Sequence, residues 1–188
     1  MATTHLTAIQ EVIEDLDYRT IYSPPEESAP FERLSVLIGN DAQQRPLTLQ
    51  LYFINDIAFA VGGGEDEEDT HDAIFLQFML LLPTPVQADR FGEVAEYVLL
   101  INRILPVGAF GISRPDGTVY FQYSLGLAER EVDENVLDEV VQMIEVFVNK
   151  FEGNIAEISS GKMRAAAAIQ ALTEEGVVPP PLGATATT

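Results

Sequence analysis

The sequence predicts an α+β fold, an antiparallel sheet with helices packed on it, in the order α-β-β-β-α-β-β-α. Three observations carry this. Leu6, Ile9, Ile13 and Leu16 recur at spacings of three and four, the period of a helix with one apolar face. Leu47, Leu49, Leu51 and Phe53 alternate with Thr48, Gln50 and Tyr52, and Val119, Phe121, Tyr123 and Leu125 form a second such series, which is the two-residue period of half-buried strands. Leu137, Val140, Val141, Ile144, Val148 and Phe151 then return to the helical period.

Taken in order, residues 4–17 form the first helix, with Thr3 or Thr4 placed to cap it, and SPPEESAP follows as a loop. FERLSVLI and LTLQLYFI read as a hairpin joined by the turn residues GNDAQQRP. DIAFAV, 56–61, either extends that strand or folds over its end. After the stretch GGGEDEEDTHD, AIFLQFMLLL is apolar at consecutive positions, so this third strand is either central and covered twice or lies at an interface. Thr84, Pro85 and Gln87 have the spacing of a capping box with proline at the first helical position, which predicts a second helix to about Leu105, stopped by Pro106 and Gly108. VGAFGIS and TVYFQYSL are two more strands around the turn Arg114-Pro115-Asp116-Gly117. Asp133 caps the third helix, which Gly153 ends or kinks. The chain then divides into a main domain over 1–161, a short helix within 162–176 with Met163, Ile169 and Leu172 as anchors, and a tail over 177–188 whose proline and small polar residues predict disorder.

Composition excludes whole classes of function. Ten basic residues against thirty acidic ones give a formal charge of −20, which repels nucleic acid and anionic membrane surfaces. With no cysteine there is no disulfide, thiolate nucleophile or cysteine-ligated zinc, and a reducing, cytoplasmic location is expected. The N-terminus has no basic start before an apolar run, and the longest apolar run, ending at Pro83, is shorter than the roughly 20 residues of a membrane helix.

Candidate chemistry is sparse. The acidic stretch 62–72 offers six carboxylates and His71, but no register places glycine sixth and glutamate twelfth, as a calcium loop of the helix-loop-helix type needs, so a solvated loop is expected. His71 and Asp72 are adjacent and would point to opposite faces of a strand; His5 lies near a terminus. Gly111-Ile112-Ser113-Arg114-Pro115 has proline where a nucleophile elbow needs glycine, and Ser159-Ser160-Gly161-Lys162 lacks the glycine spacing of a phosphate-binding loop. Glu93 with Glu96, or Glu129 with Glu131, could pair as acid and base only inside a pocket. The sequence therefore predicts no enzyme, no cofactor and no metal. It does show apolar residues all around the helical stretch Tyr97 to Leu105, a wider arc than one buried stripe requires, which suggests either cover by the third helix or contact with another chain. A pocket bordered by Tyr120, Tyr123 and Arg103 would instead suit a small ligand.

The segment INRILPVGAFGISRPDGTVYFQYSLGLAEREVDENVLDEVVQMIEVFVNKFEGNI, with Asn102-Arg103, Leu105-Pro106, Gly108, Asp116-Gly117 and the acid-started helix ending in Phe151, resembles the YbjN-domain family of bacterial sensory transduction regulators. That family is similar in fold to the type III secretion chaperones. The resemblance implies a non-enzymatic, dimeric protein-binding module, or alternatively a regulatory, ligand-sensing domain, and it transfers no catalytic residue. The expected partners are a second copy and a protein or peptide, and the expected dimer or partner interface is Phe75, Phe78, Tyr97, Leu99, Leu100 and Ile104.

Overall fold

The computed structural model describes residues 5–27, 29–57 and 74–178. Helix α1 (His5–Asp15) leads into β1 (Arg19–Ser23), β2 (Arg33–Asn40), β3 (Pro46–Phe53) and β4 (Ile74–Leu81). A 3-10 turn (Ala88–Arg90) opens helix α2 (Phe91–Ile101), followed by β5 (Ala109–Ile112), β6 (Val119–Leu127), helix α3 (Glu134–Ser159) and helix α4 (Ala165–Glu174). The strands form one six-stranded sheet in the order β1-β2-β3-β4-β6-β5, antiparallel throughout. The expected α+β order is present, with β1 added at one edge.

Strand alternation assigns the two faces. On the inner face a row of paired residues, Val36, Leu49, Leu80, Phe121 and Phe110, crosses five strands, and every member is at least 97% buried. The helices lie on this side: Leu6, Ile9 and Ile13 of α1, Val94, Tyr97 and Ile101 of α2, and the α3 stripe join the same apolar core. Each such aliphatic or phenyl side chain contributes roughly 1.5–3 kcal/mol on burial. α4 belongs to that core too, through Ala165, Ala168 and Leu172, so the boundary expected at 161 does not divide the packing; Met163 and Ile169 are only half-buried. The small alanine face lets α4 approach α2 closely, and Glu93 fixes it there, accepting from the backbone N–H of Ala165 and pairing with Arg90 and Arg164.

Local chemistry decides the ends. Asp133 caps α3 as expected, accepting from the N–H groups of Asn135 and Val136. The helix does not stop or kink at Gly153: it runs to Ser159, because Ile155 and Ile158 extend the buried stripe beyond Phe151. It ends at Gly161, whose φ of +73° permits the N–H bonds of Gly161 to Ile158 and of Lys162 to Glu157. The Ser159-Ser160-Gly161-Lys162 sequence is thus helix-end chemistry. The predicted capping box is absent. Arg45 takes the hydroxyl of Thr84, and α2 begins only at Phe91, with Arg90 at its cap position and no side-chain cap. α2 also ends before Leu105, where the Asn102 amide turns aside to bond both the N–H and the carbonyl of Phe110 at 2.8 and 2.9 Å. The Arg114-Pro115-Asp116-Gly117 turn forms as expected, with Ser113 bonded to Thr118 and Gly117 at φ +71°. The Thr3 or Thr4 cap, Ala58 to Val61, the acidic stretch 62–72 with His71, and the tail beyond Val178 lie outside the described residues.

A Cβ at Gly153 would meet nothing within 4 Å. Gly153→Ala should therefore raise stability by about 0.5–1 kcal/mol, the helix-interior difference between these residues. Urea denaturation measures it, and a loss of stability would show that the helix needs the glycine.

Candidate interaction surface

Among the described residues no helix lies across the outer face of the sheet. Its strand residues run in rows set by the pairing: Ile21, Ser35, Gln50, Met79, Gln122 and Ala109 in one, Arg19, Leu37, Thr48, Leu81, Tyr120 and Gly111 in the next. Ile21 is 69% exposed, Leu81 53% and Phe75 40%. Phe31 covers one corner, its ring 5.4 Å from that of Tyr52. Next to Tyr52, Gln77 is buried and internally satisfied, donating to the carbonyl of Phe78 and accepting from the hydroxyl of Ser124.

One glycine makes room for a ring on this face. A Cβ on Gly111 would lie 2.3 Å from the Tyr120 ring, and one on Gly126 3.6 Å from that of Phe75. The Tyr120 ring thus lies over Gly111 and fills the place of its missing side chain, whereas Phe75 leaves room for a Cβ at Gly126 in ordinary contact; both cross-strand pairs are visible only once the register is known. Near the β1 edge the surface dips into a groove of about 690 Å³ whose lining includes Arg19, Ile21, Ser35, Leu37 and Thr48, with Glu14 of α1 the one carboxylate among its residues.

Charge is segregated as sharply as apolarity. None of the six strands contains an aspartate or glutamate, whereas α1, α2 and α3 all carry several. The outer face therefore bears arginines at 19 and 33 and no strand carboxylate, on a molecule of net charge −20.

The six residues expected at an interface do not form one surface. Phe78 and Tyr97 are fully buried within a single chain, Tyr97 also bonded through its hydroxyl to Asn154. They are core, since inward strand and helix positions placed them there. Phe75 lies on the outer sheet face, Leu99 is 69% exposed on the helical side, and Leu100 and Ile104 are half-buried beside it. The wide apolar arc of α2 arises because α3 and α4 both pack against it. Strand β4 is central, with its inner residues buried by the helices and its outer residues ranging from buried Gln77 to exposed Phe75 and Leu81. The ligand pocket expected from Tyr120, Tyr123 and Arg103 does not form: Tyr123 points inward against Phe78, Tyr120 outward over Gly111, and Arg103 is exposed at the end of α2. A separate cavity of about 320 Å³ lies between α1 and the β6–α3 connection, its lining including His5, Val12, Arg130 and Leu137. There Arg130 is held by Asp56 and stands 4.7 Å above the Phe53 ring.

Among the described residues no group of three or more His, Asp or Glu side chains could hold a metal ion, and no helix is long and apolar enough to cross a membrane. One buried charged cluster does occur. Burial pushes Asp41 up, but hydrogen bonds from the backbone and side chain of Arg45 and from the Gln43 N–H outweigh it and hold Asp41 below the usual carboxylate range. Arg45 also donates to the carbonyl of Pro83 at 3.0 Å. Glu152 of α3 sits beside them; burial pushes its carboxyl up, and its bond from the Ala42 N–H at 3.2 Å only partly offsets that. This cluster pins the β2–β3 turn to α3 and to the β4–α2 connection. Its groups are committed to one another.

The family model described as "Putative bacterial sensory transduction regulator" matches residues 53–155, from the end of β3 through most of α3. The chain belongs to the YbjN family. That match spans β4, the strand at the centre of the sheet, and all of α2, β5 and β6. No curated protein matches the chain.

Glu152 gives a signed test. Its folded pKa is raised, so its contribution to stability is fully present below the unfolded value and is lost as pH rises through the folded value. Glu152→Gln keeps an acceptor for Ala42 and removes the buried charge. At neutral pH the variant should be as stable as the parent or more so, and the gap between them should shrink as pH falls into the acidic range. Urea melts at a series of pH values check this; a variant less stable at neutral pH would show that the ionised carboxylate is needed.

Proposed function

We propose that this YbjN-family chain is a non-enzymatic protein-binding module, dimeric and regulatory, acting in the cytoplasm. The observation that supports it best is the one-sided construction of the sheet. A six-stranded antiparallel sheet covered by helices on one face leaves the other as a broad surface with exposed Ile21, Phe75 and Leu81 among the described residues. An exposed apolar patch of this kind marks association in a folded protein. The family description as a sensory regulator agrees with a part whose action is to bind. The absence of a thiol and the commitment of Glu93 to holding α4 also favour binding over covalent or acid-base chemistry.

Light scattering coupled to size exclusion, over the micromolar range, tests the dimer. Twice the 20.6 kDa chain mass is the expected result, and a strict monomer at all concentrations removes that part of the reading.

A second reading, ligand sensing, is favoured by the cavity under α1, where Arg130 is fixed by Asp56 and the wall is largely apolar. A thermal-shift screen of small apolar carboxylates against the full chain, repeated with Arg130→Met, tests it: stabilisation that requires Arg130 supports the site.

A further inference from the structure

We infer that the outer face of the sheet is where two copies of this chain meet, packed sheet against sheet, with the acidic helical layers turned outward. This rests on the reading that the chain is a dimeric binding module and adds which surface joins the copies.

The argument is electrostatic first. Two chains of charge −20 repel, and any contact that brings their helices together opposes acids to acids: α3 alone carries six carboxylates against one lysine. The strands contain none. Packed sheets lie about 10 Å apart, and each helical layer lies roughly another 10 Å behind its sheet, so face-to-face docking holds the two acidic layers roughly 30 Å from one another. That is several times the Debye length of about 8 Å at physiological salt. No other described broad surface gives this separation, because the exposed apolar residues on the helical side, Leu99, Val136 and Val146, lie on helices that carry the acids.

Size and shape agree. Six strands at about 4.8 Å spacing and up to about 26 Å long present a face of about 600 Å² before side-chain relief is counted, close to the roughly 800 Å² per partner of a stable interface. The ring of Tyr120 laid over Gly111 fills the hollow that the missing side chain would otherwise leave. The mixture of Ile21, Leu37, Met79, Leu81 and Tyr120 with Ser, Thr and Gln is that of an interface between copies that each fold on their own, where apolar area is only slightly more than half. The arginines at 19 and 33 have no ion-pair partner among the described residues, so this face carries unneutralised positive charge and no strand carboxylate to repel a second copy. A two-fold axis through the face makes the contact self-complementary.

The experiment uses the full chain. Sedimentation equilibrium on the parent, on Leu81→Asp and on Leu99→Asp gives the dimer dissociation constants. Leu81→Asp should weaken the dimer at least about tenfold, Leu99→Asp should change it by less than about twofold, and added salt should tighten the parent dimer. As a measurement independent of destabilising charge, the cysteine-free sequence allows Met79→Cys and Leu99→Cys to be compared for disulfide cross-linking under mild oxidation. Covalent dimer from Met79→Cys and none from Leu99→Cys supports the inference. A dimer broken by Leu99→Asp but not by Leu81→Asp, or cross-linked only through position 99, overturns it while leaving the dimeric reading intact. A monomeric parent overturns both.

Discussion

One row of side chains, Val36, Leu49, Leu80, Phe121 and Phe110, ties the molecule together. It crosses five strands in register, and everything else is placed by what lies on either side of it. Because strand side chains alternate, committing this row and its neighbours to the helices commits the intervening residues to the opposite face. The outer surface is thus the geometric complement of the core. A slip of one residue in any strand would exchange the two.

Much of the architecture is legible in the sequence because its periods are clean. The alternation from Leu47 to Phe53 and the three-four spacing of α3 correspond to buried residues position by position, and those of β6 and α1 do so at Val119, Phe121, Leu6, Ile9 and Ile13, with Tyr123, Leu125 and Leu16 half-buried. What escaped is physically specific. In β1 the apolar Ile21 faces outward while Thr20 turns inward to α1, so only Tyr22 marks the inward side and the alternation is too short to read. Gly153 is a helix breaker by propensity, yet Ile155 and Ile158 supply the packing that outweighs it. The Thr84 to Gln87 cap was lost to Arg45, a residue remote in sequence that no local pattern reveals.

The site was less legible than the fold. Hydrophobicity alone cannot tell a core residue from an exposed one, and so Phe78 and Tyr97 were grouped with Phe75 and Leu99. Parity along β4 separates Phe75 from Phe78, since three residues apart means opposite faces. The absence of acids from every strand was also visible from the start; its meaning depended on knowing that all the strands share one sheet. The YbjN membership agrees with a regulatory domain whose conspicuous described features are surfaces.

With carboxylates confined to helices and connections and arginines on the bare sheet, a single described layer has a permanent electric dipole perpendicular to its strands. Two such bodies are turned before they touch, bare sheet toward bare sheet, because that orientation keeps their acids farthest apart. Approach is therefore directional at distances where no side chain is yet in contact.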